Sequence, residues 1–291
     1  MDSSPKNSGG FSDPIDAVHF LEEGRGGLIV FLHGLFDASP TWHRLFPELS
    51  SQFHLVALDL PGFGKTRLPA PWRASLSETV AFVLRFLDRW RGERPTLVGS
   101  SMGGGLVLAL ASAAPERFDR LVLLNPYAVP VLPWIAQLAK NPLAGALFPL
   151  FFRGPFGRLW VKRIFNFSLA NPAHLAPSHL GAVMEPFQSY SRRLELIRFL
   201  RGIDPAEIRG IDESLPSLPQ KVLLLWGVED RWLPPRHPDR IASRLLRCRR
   251  INVPHCGHLP HLDRPLEVAA EIRAFLLSES SGSFGPRASG G

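Results

Sequence analysis

Short apolar runs alternate along the chain with longer stretches in which apolar residues recur at helical spacing. The β-branched and leucine-rich runs predict six strands, and their nearly continuous apolar character is typical of a parallel sheet that is covered on both faces. The predicted strands cover residues 28–33, 55–60, 96–99, 121–125, 222–226 and 250–253. This pattern predicts an α/β fold with a mostly parallel, doubly wound sheet.

Start and stop signals bound several of the predicted helices. Ser75 and Glu78 form a capping-box pattern ahead of an apolar helix over 80–90. Pro115 is predicted to close the preceding helix, and Pro265 lies in the first turn of a terminal helix that ends near residue 277.

The alternation of strands and helices stops between residues 126 and 218. That stretch is rich in proline and aromatic residues and has no convincing strand, so it is predicted to be a helical cap inserted into a core formed by 15–125 and 219–278. The Ser-, Gly- and Pro-rich ends, 1–14 and 279–291, lack the apolar surface needed to offset ordering entropy. They are predicted to be disordered tails.

Composition narrows the class of protein. With 291 residues and 45% apolar content, the chain can bury a substantial core. The net charge of +7 comes from small basic groups interleaved with acids, and no nucleic-acid-binding module is recognisable, so no nucleic-acid partner is predicted. A polar start and the lack of a long apolar run predict a soluble, cytoplasmic protein. Cys248 and Cys256 are predicted to be reduced thiols, and the oligomeric state stays open.

Ser101 is the strongest candidate for chemistry. It lies in a tight turn between a predicted strand and a predicted helix, with Gly99 and Gly103 two residues away on either side. Such a turn holds a serine in a strained, exposed conformation, and a Cβ at either glycine would collide with the strand or the helix. The pattern indicates a nucleophilic serine.

A serine nucleophile needs a base that a carboxylate holds in one tautomer. Asp230 follows the strand over 222–226, and His258 follows the last strand, so both are expected at the sheet edge where Ser101 lies. Their order along the chain, with the nucleophile first and the histidine last, is the one expected on this scaffold. His255 and His261 are alternatives to the histidine, and Glu229 is an alternative to the acid.

Acyl transfer also needs donors for the oxyanion. The amide of Met102 lies at the start of the helix after Ser101, and Leu35 is the first choice for the second donor, with Phe36 as the second choice. His33 is expected to brace this loop. Asp59 precedes a turn-rich loop and is expected to hold that loop in place.

Taken in order, these motifs resemble those of the α/β-hydrolase family over residues 24–278. The resemblance rests on residues 33–34, 59–64, 99–104, 227–230, 257–258 and 263–265. It implies an α/β-hydrolase fold with an inserted cap, with Ser101 as nucleophile, Asp230 as orienting acid and His258 as base. It also implies an oxyanion hole formed by Leu35 and Met102, and no cofactor or metal. At positions 65 and 66 the family often has a small residue followed by serine, whereas this chain has Lys65 and Thr66. This difference concerns the packing of the loop rather than catalysis.

By the same resemblance, a serine at position 101 argues against epoxide hydrolases and haloalkane dehalogenases, since those of this fold use aspartate there. The aromatic cap favours apolar acyl or aromatic groups, so the predicted function is hydrolysis of small-molecule carboxylic esters through an acyl-enzyme. Candidate substrate-binding residues are Phe36, Trp134, Phe148, Trp160, Trp232 and Leu259.

The catalytic residues do not separate ester hydrolysis from thioester or lactone hydrolysis or from cofactor-free haloperoxidase chemistry, and three further alternatives remain open. A hydrolase of carbon–carbon bonds in aromatic ring-cleavage products would need a basic side chain, such as Arg192 or Arg193, in the pocket, because such substrates carry carboxylates. A binding module could retain an inactive triad. A lipase acting on lipids or monoacylglycerols would dock weakly on membranes through the basic, aromatic cap, where residues 126–218 hold 10 Lys and Arg against 6 Asp and Glu.

Overall fold

A seven-stranded sheet lies at the centre of the computed structural model, which describes residues 14–68, 72–128 and 133–278. The order of the strands across the sheet is β1-β3-β2-β4-β5-β6-β7. Only β1 is antiparallel to its neighbour among these pairs. The strands are β1 Phe20–Gly24, β2 Gly27–Leu32, β3 Phe53–Leu58, β4 Thr96–Ser100, β5 Arg120–Leu124, β6 Lys221–Gly227 and β7 Cys248–Val253.

All six predicted strands are present, and the α/β architecture with a mostly parallel sheet is confirmed. β1 was missed because it is an exposed edge strand whose residues 22–24 are two glutamates and a glycine. β3 ends at Leu58 rather than at residue 60, because the Asp59 side chain and Pro61 turn the chain there. The predicted tails lie outside the described residues, apart from Pro14, which begins a short 3-10 helix, Pro14–Ala17.

Twelve α-helices occur in the described part of the chain. They are α1 Phe46–Leu49, α2 Leu76–Phe86, α3 Met102–Ala113, α4 Trp134–Lys140, α5 Pro142–Phe151, α6 Gly154–Ser168, α7 Pro177–Val183, α8 Tyr190–Gly202, α9 Pro205–Ser214, α10 His237–Arg244, α11 Pro260–Asp263 and α12 Pro265–Leu277. The predicted capping box is confirmed, because the Glu78 amide donates to Ser75 Oγ and the Ser75 amide donates to Glu78 Oε2, both at 3.2 Å. α3 ends two residues before Pro115, and α12 begins at Pro265, both as predicted.

Successive side chains of the central strands alternate between two hydrophobic layers. In β2, Val30 and Leu32 pack into the layer that contains α2 and α3, whereas Ile29 and Phe31 pack into the layer that contains α12. The sheet is therefore covered on both faces, which explains why its strands are nearly continuous apolar runs.

Helices α4–α9 follow one another between β5 and β6, in the stretch predicted to be the cap. No strand occurs among the described residues of 126–218, although the boundaries chosen for the cap stay a prediction. Because β5 ends at the same sheet edge as β4, these helices lie above the turn that carries Ser101. Within the described residues, none of the helices has the length and apolar character needed to cross a bilayer.

Candidate active site

Ser101 occupies the turn between β4 and α3 in a left-handed conformation, with φ at +52°. A side chain at Gly99 would press against the Gly103 carbonyl oxygen, and one at Gly103 would press against the Leu32 carbonyl oxygen. The predicted steric need for both glycines is therefore confirmed. The strained turn exposes the Ser101 hydroxyl above the carboxyl ends of the strands.

The side chains of Ser101, His258 and Asp230 form a continuous chain of hydrogen bonds. The Ser101 Oγ lies 2.8 Å from His258 Nε2, and His258 Nδ1 lies 2.8 Å from Asp230 Oδ2. Because the carboxylate can only accept, Nδ1 carries the proton, and Nε2 is left as an acceptor for the serine hydroxyl. The arrangement can remove a proton from Ser101.

Asp230 is held as an ionised carboxylate. Burial acts to raise its pKa, but the neighbouring His258 and hydrogen bonds from His258, Asn125 and the Trp232 amide more than offset this and hold the pKa below its usual value. Asn125 Nδ2 donates to Asp230 Oδ2 at 2.6 Å, while its Oδ1 accepts from the Gly227 amide at 3.0 Å. Sequence reasoning missed Asn125, whose only signal is its place at the end of β5.

The other candidates for this chemistry do not reach Ser101. His255 is 80% exposed beside Glu229, and His261 is buried against Thr41. The two cysteines are free thiols, and burial raises the pKa of Cys248 to about 12 and raises that of Cys256 as well. Buried, protonated thiols are poor nucleophiles.

The loop after β2 lies directly over the serine. A Cβ added to Gly34 would lie 3.3 Å from Ser101 Cβ, so a larger residue would crowd the approach to the hydroxyl. Leu35 and Met102 both line the cavity at Ser101. In the described structure neither backbone amide donates to a protein acceptor, which for Met102 follows from its place in the first turn of α3. These two donors are available to a ligand.

His33 and Asp59 hold the loops around the site, as expected. His33 Nδ1 donates to the Gly34 carbonyl at 2.8 Å, and its Nε2 accepts from the Leu60 amide at 3.0 Å. Burial lowers the pKa of His33, in agreement with this neutral form. Asp59 accepts from the Ser39 and Lys65 amides at 2.6 and 2.8 Å.

A cavity of about 570 Å³ opens from Ser101 between the strand ends and the cap. This volume is within the usual range for small-molecule sites. Four of the six predicted substrate-binding residues line it, namely Phe36, Trp134, Trp232 and Leu259. Much of the remaining wall is apolar and comes from helices α2, α3, α4, α6, α8 and α9 and from the residue that follows α8. These residues are Leu76, Leu106, Ile135, Ile164, Phe165, Phe199, Ile203, Ile208 and Ile211.

Phe148 and Trp160 do not line the cavity, so their prediction as substrate-binding residues is corrected. Phe148 is buried within the cap, with its ring 4.4 Å from that of Phe152. Trp160 lies on the outer side of α6 against Phe151, with ring centroids 5.4 Å apart. The aromatic content of the sequence predicted which segment covers the cavity, but it did not predict which of its rings face the cavity.

The described cavity wall contains no lysine or arginine. Arg192 turns away from it and donates to the carbonyls of Gly64 and Thr66, and Arg193 donates to the Phe187 carbonyl. The wall does contain two carboxylates, Asp37 and Asp204. The site therefore disfavours a negatively charged substrate group.

The end of α6 is bonded to the loop that carries His258. The Ser168 carbonyl accepts from the His258 amide at 2.7 Å, and the Ser168 hydroxyl accepts from the Trp232 indole at 2.8 Å. Asp263 Oδ2 accepts from the amides of both Gly257 and Ala170 at 2.8 Å. The cap and the histidine loop are thus held as one unit, through residues that the sequence analysis did not assign to this role.

A second link joins the cap to the loop after β2. His179 of α7 lies 2.6 Å from Asp37, which is two residues beyond Leu35. Burial acts to raise the pKa of Asp37, but His179 more than offsets this and holds it low. The pair fixes one wall of the cavity, because Asp37 lines it and both side chains are buried.

Buried His261 makes the stability of the fold depend on pH. Burial lowers the pKa of His261 to about 3, so between that pH and about 6.5 the unfolded chain binds a proton that the folded chain does not. Stability therefore falls as the pH falls through this window. We expect wild-type protein to lose up to about 1.4 kcal/mol per pH unit more than a His261→Gln variant in urea unfolding.

The control for this effect is Thr41→Val, which removes the 2.8 Å hydrogen bond to His261 Nε2 without removing the titrating ring. This variant should lower stability at pH 7.5 but keep the steep pH dependence. Parallel stability curves for wild type and His261→Gln between pH 7.5 and 5 would contradict the assignment.

Comparisons with known proteins agree with this fold. Residues 27–265 match the family model described as alpha/beta hydrolase fold. The chain is 27% identical to 2-hydroxymuconate semialdehyde hydrolase of Pseudomonas sp. (strain CF600), covering 94% of this chain and 96% of that protein. It is 28% identical to pimeloyl-[acyl-carrier protein] methyl ester esterase of Nitrosomonas europaea, covering 86% and 95%.

Among solved structures, an alpha/beta hydrolase fold protein from Burkholderia ambifaria superposes with a TM-score of 0.77 at 24% identity. This likeness covers 88% of this chain and 93% of that one, and it concerns the fold. The match to the family model covers most of the chain and includes Ser101, Asp230 and His258. The chain belongs to the alpha/beta hydrolase family.

Proposed function

We propose that this protein is a serine hydrolase that cleaves carboxylic esters with neutral, apolar acyl or aromatic groups. The observation that carries the proposal is the hydrogen-bonded chain from Ser101 through His258 to Asp230, which opens into an apolar cavity. The relative named as a methyl ester esterase, at 28% identity, supports ester chemistry.

In the proposed mechanism, Ser101 Oγ attacks the ester carbonyl while His258 Nε2 takes the hydroxyl proton. Ionised Asp230 holds the other ring nitrogen and stabilises the imidazolium that forms. The amides of Leu35 and Met102 bind the oxyanion of the tetrahedral intermediate, and the positive end of the α3 dipole supports the Met102 donor. His258 then protonates the leaving alcohol, and water attacks the acyl-enzyme by the reverse steps.

The charge of the wall favours a neutral substrate. Relatives named as 2-hydroxymuconate semialdehyde hydrolase and 2-hydroxy-6-oxo-6-phenylhexa-2,4-dienoate hydrolase make carbon–carbon bond cleavage the second candidate. A substrate carboxylate in this cavity would meet Asp37, which His179 already pairs, and the exposed Asp204, and no Lys or Arg among the described wall residues would neutralise it. Burying a charge without a partner is costly, so the ester is the better fit.

A panel of nitrophenyl esters graded from acetate to palmitate tests the proposal. We expect kcat/KM to rise with chain length by up to about fourfold per CH2 until the cavity is full, because each buried CH2 contributes about 0.8 kcal/mol. A matched pair, a nitrophenyl alkanoate and the ester of the same length ending in a free carboxylate, isolates the effect of charge. The neutral member should react faster.

A thioester, a lactone and a ring-cleavage dienoate complete the panel. Carbon–carbon cleavage of the dienoate with a higher kcat/KM than any neutral ester would overturn the ester assignment in favour of the second candidate. Tight ligand binding without turnover of any panel member would indicate a binding module instead.

A further inference from the structure

Large apolar side chains are exposed mainly on one part of the cap. Ten of the sixteen exposed large hydrophobic residues in the described chain lie within residues 134–168, on helices α4, α5 and α6. They are Trp134, Leu138, Leu143, Leu147, Leu150, Phe151, Phe156, Leu159, Trp160 and Phe167. Exposed apolar residues scattered singly need no explanation, but a concentration of this kind marks an interaction surface.

These side chains follow helical spacing, so each helix presents an apolar stripe to the outside. On α5, Leu143, Leu147 and Leu150 recur every three or four residues, and they are exposed while Phe148 is buried. On α6, Phe156 and Trp160 are four residues apart and are 72% and 38% exposed. A surface helix normally presents polar residues to water. On this side of α5 and α6 the solvent-facing residues are apolar instead.

The same segment carries charge of one sign. Residues 134–168 contain five basic residues and no acidic one. The basic residues are Lys140, Arg153, Arg158, Lys162 and Arg163. All five are exposed, and none of them forms an ion pair with a carboxylate of the described residues. We call the exposed apolar and basic side chains of these three helices the α4–α6 face.

The α4–α6 face is continuous with the wall of the cavity. Trp134 lines the cavity and is also 50% exposed, so the cavity reaches the surface beside it. On α6, Ile164 and Phe165 line the cavity while Phe167 is exposed and packs its ring 5.1 Å from that of Trp232, another wall residue. An apolar molecule could pass from this face to Ser101 along apolar side chains.

We propose that the α4–α6 face binds the surface of a lipid bilayer that contains anionic lipids. Apolar stripes flanked by Lys and Arg are the pattern of helices that lie in the membrane interface, with the stripe in the acyl boundary and the cations at the headgroups. A second copy of this chain fits the face less well, because it would bring five like charges against five like charges. None of the described helices spans a bilayer, so the contact is interfacial.

Binding can be tested apart from hydrolysis by using full-length protein with Ser101→Ala. Co-sedimentation is measured with phosphatidylcholine vesicles and with vesicles in which about a quarter of the lipid is phosphatidylglycerol. We expect strong binding to the anionic vesicles at about 0.1 M salt and a large loss at about 1 M salt, where the Debye length falls to about 3 Å.

Two pairs of matched variants separate the contributions of apolar and basic side chains. Phe156→Ser with Trp160→Ser should weaken vesicle binding by at least about tenfold. Leu246→Ser with Leu266→Ser, at positions 68% and 65% exposed but on the core, should not. Arg158→Glu with Lys162→Glu should weaken binding by at least about 30-fold, since each lost basic residue contributes about fivefold at an anionic surface and the new carboxylates are repelled by it. Arg25→Glu with Arg247→Glu, exposed positions outside the cap, is the control for net charge.

The proposal is overturned if the protein fails to sediment with anionic vesicles, or if the cap variants and their controls bind equally. It is also overturned if chromatography shows a dimer that Phe156→Ser with Trp160→Ser converts to a monomer without any effect on vesicle binding. In that case the face is an interface between copies. Because the inactive Ser101→Ala protein is used throughout, failure of the ester assignment leaves these outcomes unaffected.

Discussion

Replacement of Ser101 by alanine is expected to lower kcat for a nitrophenyl ester by a factor on the order of 10⁴ to 10⁶. The substitution removes the hydroxyl oxygen that lies 2.8 Å from His258 Nε2 and would attack the carbonyl. The amides of Leu35 and Met102 and the cavity remain, so a small residual acceleration over water should persist. Initial rates of nitrophenol release, compared with those of wild-type protein and of buffer alone, measure both effects.

Ser100 provides a matched control for this experiment. It precedes Ser101 at the end of β4, is fully buried, and its hydroxyl has no hydrogen-bond partner among the described atoms. Ser100→Ala should therefore retain kcat within about a factor of three, because no interaction is removed. If Ser101→Ala kept more than about 1% of wild-type activity while melting normally, the serine would not be the nucleophile.

The parts of the site that could be predicted from sequence are those determined by local geometry. Gly99 and Gly103 surround Ser101 because the turn leaves no space for a Cβ, and this requirement is visible in five consecutive residues. Asp230 and His258 could be placed at the same edge because the carboxyl ends of parallel strands meet there. A parallel sheet converts order along the chain into proximity in space.

The parts that could not be predicted depend on contacts between distant segments. Asn125 and Ser168 hold Asp230 and the His258 loop, but a polar residue at the end of a strand or helix is common and carries no signal by itself. Phe148 and Trp160 show a related limit. Both belong to an aromatic segment, yet neither faces the cavity, because periodicity defines the faces of a helix without saying which one is covered.

The cap therefore has two distinct apolar surfaces. On α6, Phe165 points to the cavity and Phe156 to the outside, and the helix ends at Ser168, which bonds to the His258 loop. The outer surface of α6 is thus joined to the loop that carries His258 by a short, hydrogen-bonded connection. The predicted aromatic pocket and the predicted basic, aromatic membrane contact are opposite sides of the same helix.

Replacement of Asp230 by asparagine is expected to lower kcat by a factor on the order of 10⁴ with little change in the fold. Asp230 Oδ1 accepts from the backbone amides of Trp232 at 2.8 Å and Leu233 at 3.2 Å. An asparagine must keep its oxygen at these two donors, so its NH2 group takes the place of Oδ2 and faces His258 Nδ1.

His258 Nδ1 then has to accept a hydrogen bond from this NH2 group, so the ring proton moves to Nε2. A protonated Nε2 can no longer accept from the Ser101 hydroxyl. Asn125 cannot relieve the conflict by rotating its amide, because its Oδ1 is held by the Gly227 amide at 3.0 Å. The expected loss is thus in kcat and comes from the wrong tautomer, and it should be measured with the ester used for Ser101→Ala.

Asp212→Asn is the control, since that carboxylate is nearly buried and pairs with Arg240 at 2.7 Å, away from the site. It should lower the melting temperature and spare kcat, and equal kcat losses in the two variants would contradict a tautomeric role for Asp230.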